Sequence, residues 1–362
     1  MKTIHILLFC LFFFSVTAFG QSSRPATGCR CPAALNEAID KTTRIYAGFT
    51  DKVTPATQKS YNQLVTKTKQ LARSAKTADD CHAVLKTYTS FFKDSHVFVI
   101  RQQAGAAPVL YADVIKDRTD LVQFRQLDPK TLYIRLAVFN QREVDRLDSL
   151  LRANAQLISR TPDLIFDVRG NGGGNTSTSD EMVKLIYTNP IQYPSWDYRS
   201  SPELIESTRD NIASMMKDSV NNAFFIKRQR FLLTGLLANP GGMVSDGEDL
   251  TRPADVSPDA NPKRIALLID KGCGSSTEFF VFECKQSKKV TLFGTNTHGV
   301  MDYGLDQNFN LCDGSFSLAL PWGRNGWTRQ YRIDNIGFAP DVRIPAAEKD
   351  WIQFVKRHWA RQ

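Results

Sequence analysis

The sequence predicts an α/β fold, with buried strands alternating with helices behind a helical N-terminal segment. Three observations carry this. The runs 163–167 and 264–270 are short and apolar at their centres, without polar alternation, so they read as strands buried on both faces. Each leads into a glycine-rich turn and then into a segment of helical character. Residues 30–95, in contrast, space their apolar side chains three and four apart, as helices do.

The chain is organised around Lys271-Gly-Cys-Gly-Ser-Ser-Thr-Glu-Phe-Phe280. This stretch joins the strand 264–270 to a helix predicted over 278–284. Ser275 therefore stands at a helix N-terminus, where free N–H groups and the positive end of the dipole favour developing negative charge. A nucleophilic serine with an oxyanion site beside it needs that environment. A serine before a helix also serves as an ordinary N-cap, the commoner case for a lone Gly-x-Ser.

At the start of the chain, residues 1–20 read as a secretion signal. Lys2 supplies the positive end, 4–14 an apolar core, and Ala18-Phe19-Gly20 a cleavage site before Gln21. That core is too short to span a bilayer, and no other run is long and apolar enough, so no stable membrane insertion is expected after cleavage. Of the seven cysteines, Cys10 lies in this leader. Export permits disulfides among the other six. Cys29 or Cys31 with Cys81 would tie the N-terminus to a helix, and Cys273 with Cys312 or Cys284 would brace the region around Ser275. Cys29-x-Cys31 lacks zinc spacing and has no histidine near it, so neither a metal nor a cofactor is expected. The net charge of +9 is not gathered into a Lys/Arg block with interleaved aromatics, which argues against a nucleic-acid partner.

The domain organisation expected is a signal at 1–20, a helical domain at 21–95 and a core at 96–362 with a helical insertion at about 193–256. The helical domain should hold three helices. The first opens at Pro32, the second at Thr54-Pro55, and the third is capped by Thr77 with Asp80 at the box position. His96 then begins a β-branched and aromatic strand. Further on come a strand at 131–136, a helix marked by Leu147, Leu150, Leu151, Leu157 and Ile158, and the strand 163–167. That strand ends in the loop Val168-Arg-Gly-Asn-Gly-Gly-Gly-Asn175, followed by a helix at 178–187. The loop's glycines open backbone conformations closed to other residues and bring N–H groups to close range. It lacks both phosphate-loop and dinucleotide spacing, so an oxyanion loop is the better reading. After Ser275 come a strand at 290–293, the segment Gly294-Thr-Asn-Thr-His-Gly299, a hairpin about Asp313-Gly314, and a closing helix with Trp351, Ile352 and Val355 on one side.

Four of these segments together resemble the signature blocks of the S41 family, the tail-specific or carboxy-terminal processing serine peptidases. They are 164–174, Gly274-Ser-Ser-Thr-Glu278, Gly294-Thr-Asn-Thr-His-Gly299 and Ile333-Asp-Asn-Ile-Gly-Phe-Ala-Pro-Asp341, in the right order over about 130–345. The resemblance implies a crotonase/ClpP-like ββα core with an N-terminal helical cap, and a peptide or protein substrate. One branch of the family carries a lysine base after the nucleophile, where this chain has Val300, which cannot accept a proton. The other branch resembles the tricorn core protease and the retinoid-binding repeats, with a Ser-His pair before the core and a late acid. Ser95-His96 and Asp334 match those places, and the nucleophile carries over to Ser275. No PDZ module fits between His96 and Thr131.

The set is chemically coherent. His96 would take the proton of Ser275, Asp334 would orient the imidazole, and Ser95 would assist the acid or the histidine. The backbone N–H groups of Gly172, Gly173 and Ser276 would hold the oxyanion. Of the remaining histidines, His298 is the rival base, expected to matter less than His96. The function expected is an exported serine endopeptidase working through an acyl-enzyme. The alternatives are a non-catalytic, retinoid-binding-like protein for apolar ligands on the same fold, and a serine esterase or acyltransferase.

Overall fold

The computed structural model describes residues 30–102 and 121–362. The signal reading of 1–20, the Gln21 terminus and Cys29 lie outside these residues.

The chain begins with helices α1 (Cys31–Ile45), α2 (Phe49–Lys52), α3 (Gln58–Ser74) and α4 (Ala78–Thr89). Thr77 caps α4 in a full capping box with Asp80, as its sequence predicts. Helix α3 starts at Gln58 rather than at Thr54-Pro55, because residues 54–57 close on themselves in a turn held by the Thr57 hydroxyl. A Cys31–Cys81 disulfide ties α1 to α4. Strand β1 (Phe98–Arg101) starts two residues after His96, which sits in a turn where its backbone N–H donates to Asp94 Oδ1 at 2.9 Å.

Then come β2 (Val122–Asp128), β3 (Thr131–Leu136), α5 (Gln141–Ala153), α6 (Ala155–Arg160), β4 (Asp163–Asp167) and α7 (Asp180–Ile186). The single helix expected over 147–158 is two, broken at Asn154, whose side chain bonds the Leu150 carbonyl. Next are β5 (Ile191–Tyr193), β6 (Asp197–Arg199), α8 (Pro202–Met215), α9 (Ala223–Ala238), β7 (Met243–Ser245) and β8 (Leu250–Arg252). The last third holds β9 (Arg264–Ile269), α10 (Ser276–Lys285), β10 (Val290–Gly294), β11 (Tyr303–Leu311), β12 (Phe316–Arg324), β13 (Val342–Arg343) and α11 (Trp351–Trp359).

Two sheets organise these elements. The first runs β13-β10-β9-β4-β3-β2, parallel throughout except for the β2–β3 pair. One face packs on α5, α7 and α10, the other on α11, so β4 and β9 are buried on both faces. In the second sheet β12 is central, flanked by β11 on one edge and by β1 and β6 on the other, with β7 beyond β6. The N-terminal helices pack on this sheet. Leu35, Tyr46, Tyr88 and Phe92 share one core with Leu318, Leu320 and Trp322 of β12 and with Leu232 and Leu236 of α9.

Parallel strands deliver their C-terminal loops to one end of a sheet. Asp167 pairs with Leu268, and Ile269 with Gly294, so β4, β9 and β10 end side by side. From these three neighbours leave the glycine loop, the Ser275 turn and the loop that carries His298. His96 arrives from the second sheet.

Candidate active site

Ser275 has φ 51° and ψ −124°. A residue with a Cβ seldom adopts a positive φ, and Ser275, one of five described non-glycine residues that do, stands between β9 and α10. Its side chain makes no capping bond to α10, so it is not an N-cap in the ordinary sense. A sharp strand-to-helix turn of this kind is the setting of a serine held at a nucleophile elbow.

The glycine loop is pressed against this turn. Asn171 is buried; its carbonyl accepts from the Gly274 N–H at 3.1 Å and its side-chain amide donates to the Leu136 carbonyl. The Ser276 hydroxyl donates to the Gly174 carbonyl at 2.9 Å. Gly173 has φ 100°, and a Cβ there would lie 2.7 Å from both Gly274 O and Ser275 Cβ, so only glycine fits. The Gly173 N–H is already spent on Asn171 Oδ1 at 3.0 Å, an effect of the Asx turn that glycine spacing alone does not reveal. Among the described residues, the N–H groups of Gly172 and Ser276 have no partner.

His298 is fastened to the same turn. Its backbone N–H donates to the Cys273 carbonyl at 2.7 Å, and its own carbonyl accepts from Lys271 Nζ at 3.0 Å. Its ring lies over Gly274, where an added Cβ would sit 3.5 Å from Nδ1. Nε2 is 3.4 Å from Ser95 Oγ.

The reason this loop holds its shape is Glu278, on the buried side of α10. Its carboxylate accepts from Thr297 Oγ1 at 2.6 Å and from the N–H groups of Gly299, Val300 and Met301 at 2.7, 2.9 and 3.1 Å. Burial pushes the Glu278 carboxyl up, and these four donors oppose it by favouring the anion. Sequence reading gave Glu278 no role. The available signal was a carboxylate inside the apolar run 277–284, which has to be paired if that face is buried.

His96 faces elsewhere. Its Nδ1 is 3.0 Å from the Tyr303 carbonyl, which can only accept, so the proton sits on Nδ1. Its Nε2 is 3.7 Å from Asp306 Oδ2. Burial raises the Asp306 carboxyl to about 6, with His96 opposing and Asp94 adding to the rise. Asp334 is ion-paired with Lys52 of α2, and its backbone N–H donates to Asp302 Oδ2. Among the described residues no hydrogen bond joins Ser275 to His96 or His96 to Asp334; Asp334 pairs with Lys52, and His96 Nδ1 faces the Tyr303 carbonyl.

The bracing disulfide expected at Cys273 is not formed. Cys273 and Cys284 are free and buried, and the Cys273 thiol donates to the Val168 carbonyl at 3.0 Å. Burial pushes that thiol well up, which makes it a poor nucleophile beside Ser275. Cys312, the other suggested partner of Cys273, is disulfide-bonded.

A strand-to-helix serine under a glycine loop defines the serine-hydrolase type of site. The model of peptidase family S41 matches residues 130–344, and the chain belongs to that family. A probable CtpA-like serine protease of Staphylococcus haemolyticus is 22% identical over 206 residues, which cover 49% of this chain and 40% of that protein. The chain thus matches less than half the length of that relative. Three of the solved structures that share the fold illustrate it. Mature CPAF complexed with lactacystin has a TM-score of 0.63 at 12% identity over 91% of this chain and 98% of its own. A putative peptidase from Parabacteroides merdae has 0.59 at 14% over 92% and 97%. A lipoprotein from Streptococcus agalactiae has 0.55 at 14% over 94% and 100%.

Proposed function

We propose that this protein is a serine endopeptidase that cleaves peptide or protein chains through an acyl-enzyme at Ser275. The observation that carries the reading is the strained Ser275 backbone beside two unspent N–H groups. The Ser275 hydroxyl attacks the scissile carbonyl and gives its proton to an imidazole. The N–H groups of Ser276 and Gly172 stabilise the oxyanion. Collapse expels the amine, which takes the proton from the imidazolium. Water then repeats the sequence on the ester and restores Ser275.

We assign the base to His298, because its ring lies on Gly274 and its loop is clamped by Glu278. A second reading keeps His96 as base. It is supported by the Nδ1 proton held on Tyr303, which leaves the lone pair on Nε2, and by the position of His96 directly after Ser95. The Cys31–Cys81 bond supports export to an oxidising compartment.

The test uses a fluorophosphonate probe and a quenched casein substrate on the full chain and on Ser275→Ala. Labelling and cleavage by the wild type, and neither by the variant, are expected. A folded wild type that takes no label would leave the fold as a binding scaffold. Labelling without cleavage of any peptide, together with turnover of simple esters, would point to an esterase instead.

A further inference from the structure

We propose that the outward face of α9 docks the protein on an anionic lipid surface. Phe224, Lys227, Arg230, Phe231, Thr234 and Leu237 are spaced three and four apart, so they share one side of the helix. The opposite side buries Leu232 and Leu236 against the rest of the molecule, and Ile226 is buried at the edge between the two sides. On the outward side Phe224, Phe231 and Leu237 are 48%, 59% and 50% exposed. Large apolar side chains grouped on one face, rather than scattered singly, mark a contact surface.

The charge pattern selects the partner. From 219 to 245 the chain holds no aspartate or glutamate. Arg228 is paired with Asp246, but Lys227 has no side-chain partner among the described residues, and the Arg230 guanidinium donates only to Met216 Sδ at 3.7 Å. Exposed carboxylates border this face, Glu206 and Asp210 on α8, Asp218 ahead of α9 and Glu248 after β7, but none stands on α9 itself. Two copies joined through this face would bring four cations together, which disfavours a self-dimer. Aromatic and aliphatic tips flanked by cations fit the boundary between headgroups and acyl chains, the chemistry of an interfacial amphipathic helix. No helix of the described residues is long and apolar enough to cross a membrane, so the helix would lie flat along the surface.

The test is co-sedimentation of the full chain with vesicles of phosphatidylglycerol and phosphatidylcholine in equal parts, against phosphatidylcholine alone. Binding to the anionic vesicles that fades with added salt is expected. Lys227→Glu/Arg230→Glu should bind at least ~10-fold more weakly, as should Phe224→Ser/Phe231→Ser, with unchanged circular dichroism. Absent binding, equal binding to neutral vesicles, or two variants that bind like wild type would each overturn the proposal. Sedimentation equilibrium covers the remaining occupant. A dimer that Phe224→Ser/Phe231→Ser abolishes, with no vesicle binding, would assign the face to a second copy of the chain.

Discussion

Two histidines flank Ser95, and the molecule treats them differently. His298 is exposed, on a loop whose backbone is bolted to α10 by a buried carboxylate and to the Ser275 turn by its own N–H. His96 is largely enclosed, with one ring nitrogen on a carbonyl of β11 and the other toward Asp306. The first comes from the sheet that builds the serine turn; the second comes from the neighbouring sheet. Motif position singles out both histidines as candidates, whereas the direction each ring faces depends on partners far off in sequence.

Variants can break this contrast. The largest effect is expected from Ser275→Ala, which should lower peptide turnover at least ~10⁴-fold without unfolding, read as kcat/KM beside a melting curve. Residual activity near wild type would move the nucleophile elsewhere. Next come the histidines. His298→Ala should cost about 10²- to 10⁴-fold in kcat, and His96→Ala less than ~10-fold. The reverse ranking, at matched circular dichroism, would give the base to His96 and require its ring to leave Tyr303 when substrate binds.

Glu278→Gln sharpens the comparison from behind. An amide offers one acceptor oxygen where four donors converge, and its own NH₂ would face N–H groups. A loss of about 2–4 kcal/mol in stability and ~10-fold in kcat is expected, while His96-dependent contacts stay intact.

The smallest effect concerns Asp306. Its carboxyl is raised to about 6, so the fold binds the proton more tightly than the unfolded chain does. That contribution to stability is fully present below about 3.8 and is lost as pH rises through about 6. The difference is worth at most ~3 kcal/mol, and less for a side chain that keeps about a third of its surface in water. Asp306→Asn should therefore gain on the wild type in denaturant midpoint between pH 4 and 6.5. A flat difference across that window would show that burial does not hold the proton there.

The strands and the sharp turn at Ser275 were legible because local chemistry dictates them. The doubly apolar runs 163–167 and 264–269 can only be buried, and the glycines around Ser275 announce a sharp turn. Strands β6 and β7, three residues each, were not legible. They owe their pairing to the edge of β12 and to Tyr198 packing in the shared core, not to a pattern of their own. The same holds for the ring of His96 and the carboxylate of Asp334. Their partners, Tyr303 O and Lys52, lie 207 and 282 residues away and carry no motif.

The backbone at Ser275 has a consequence for thermal endurance. A side chain held at φ 51° costs on the order of 1–3 kcal/mol, a debt that glycine would not incur. Ser275→Gly should therefore melt several degrees higher than Ser275→Ala, although both lack the hydroxyl. Heat resistance alone would favour glycine here, so a serine at this angle trades durability for the hydroxyl that the proposed chemistry needs.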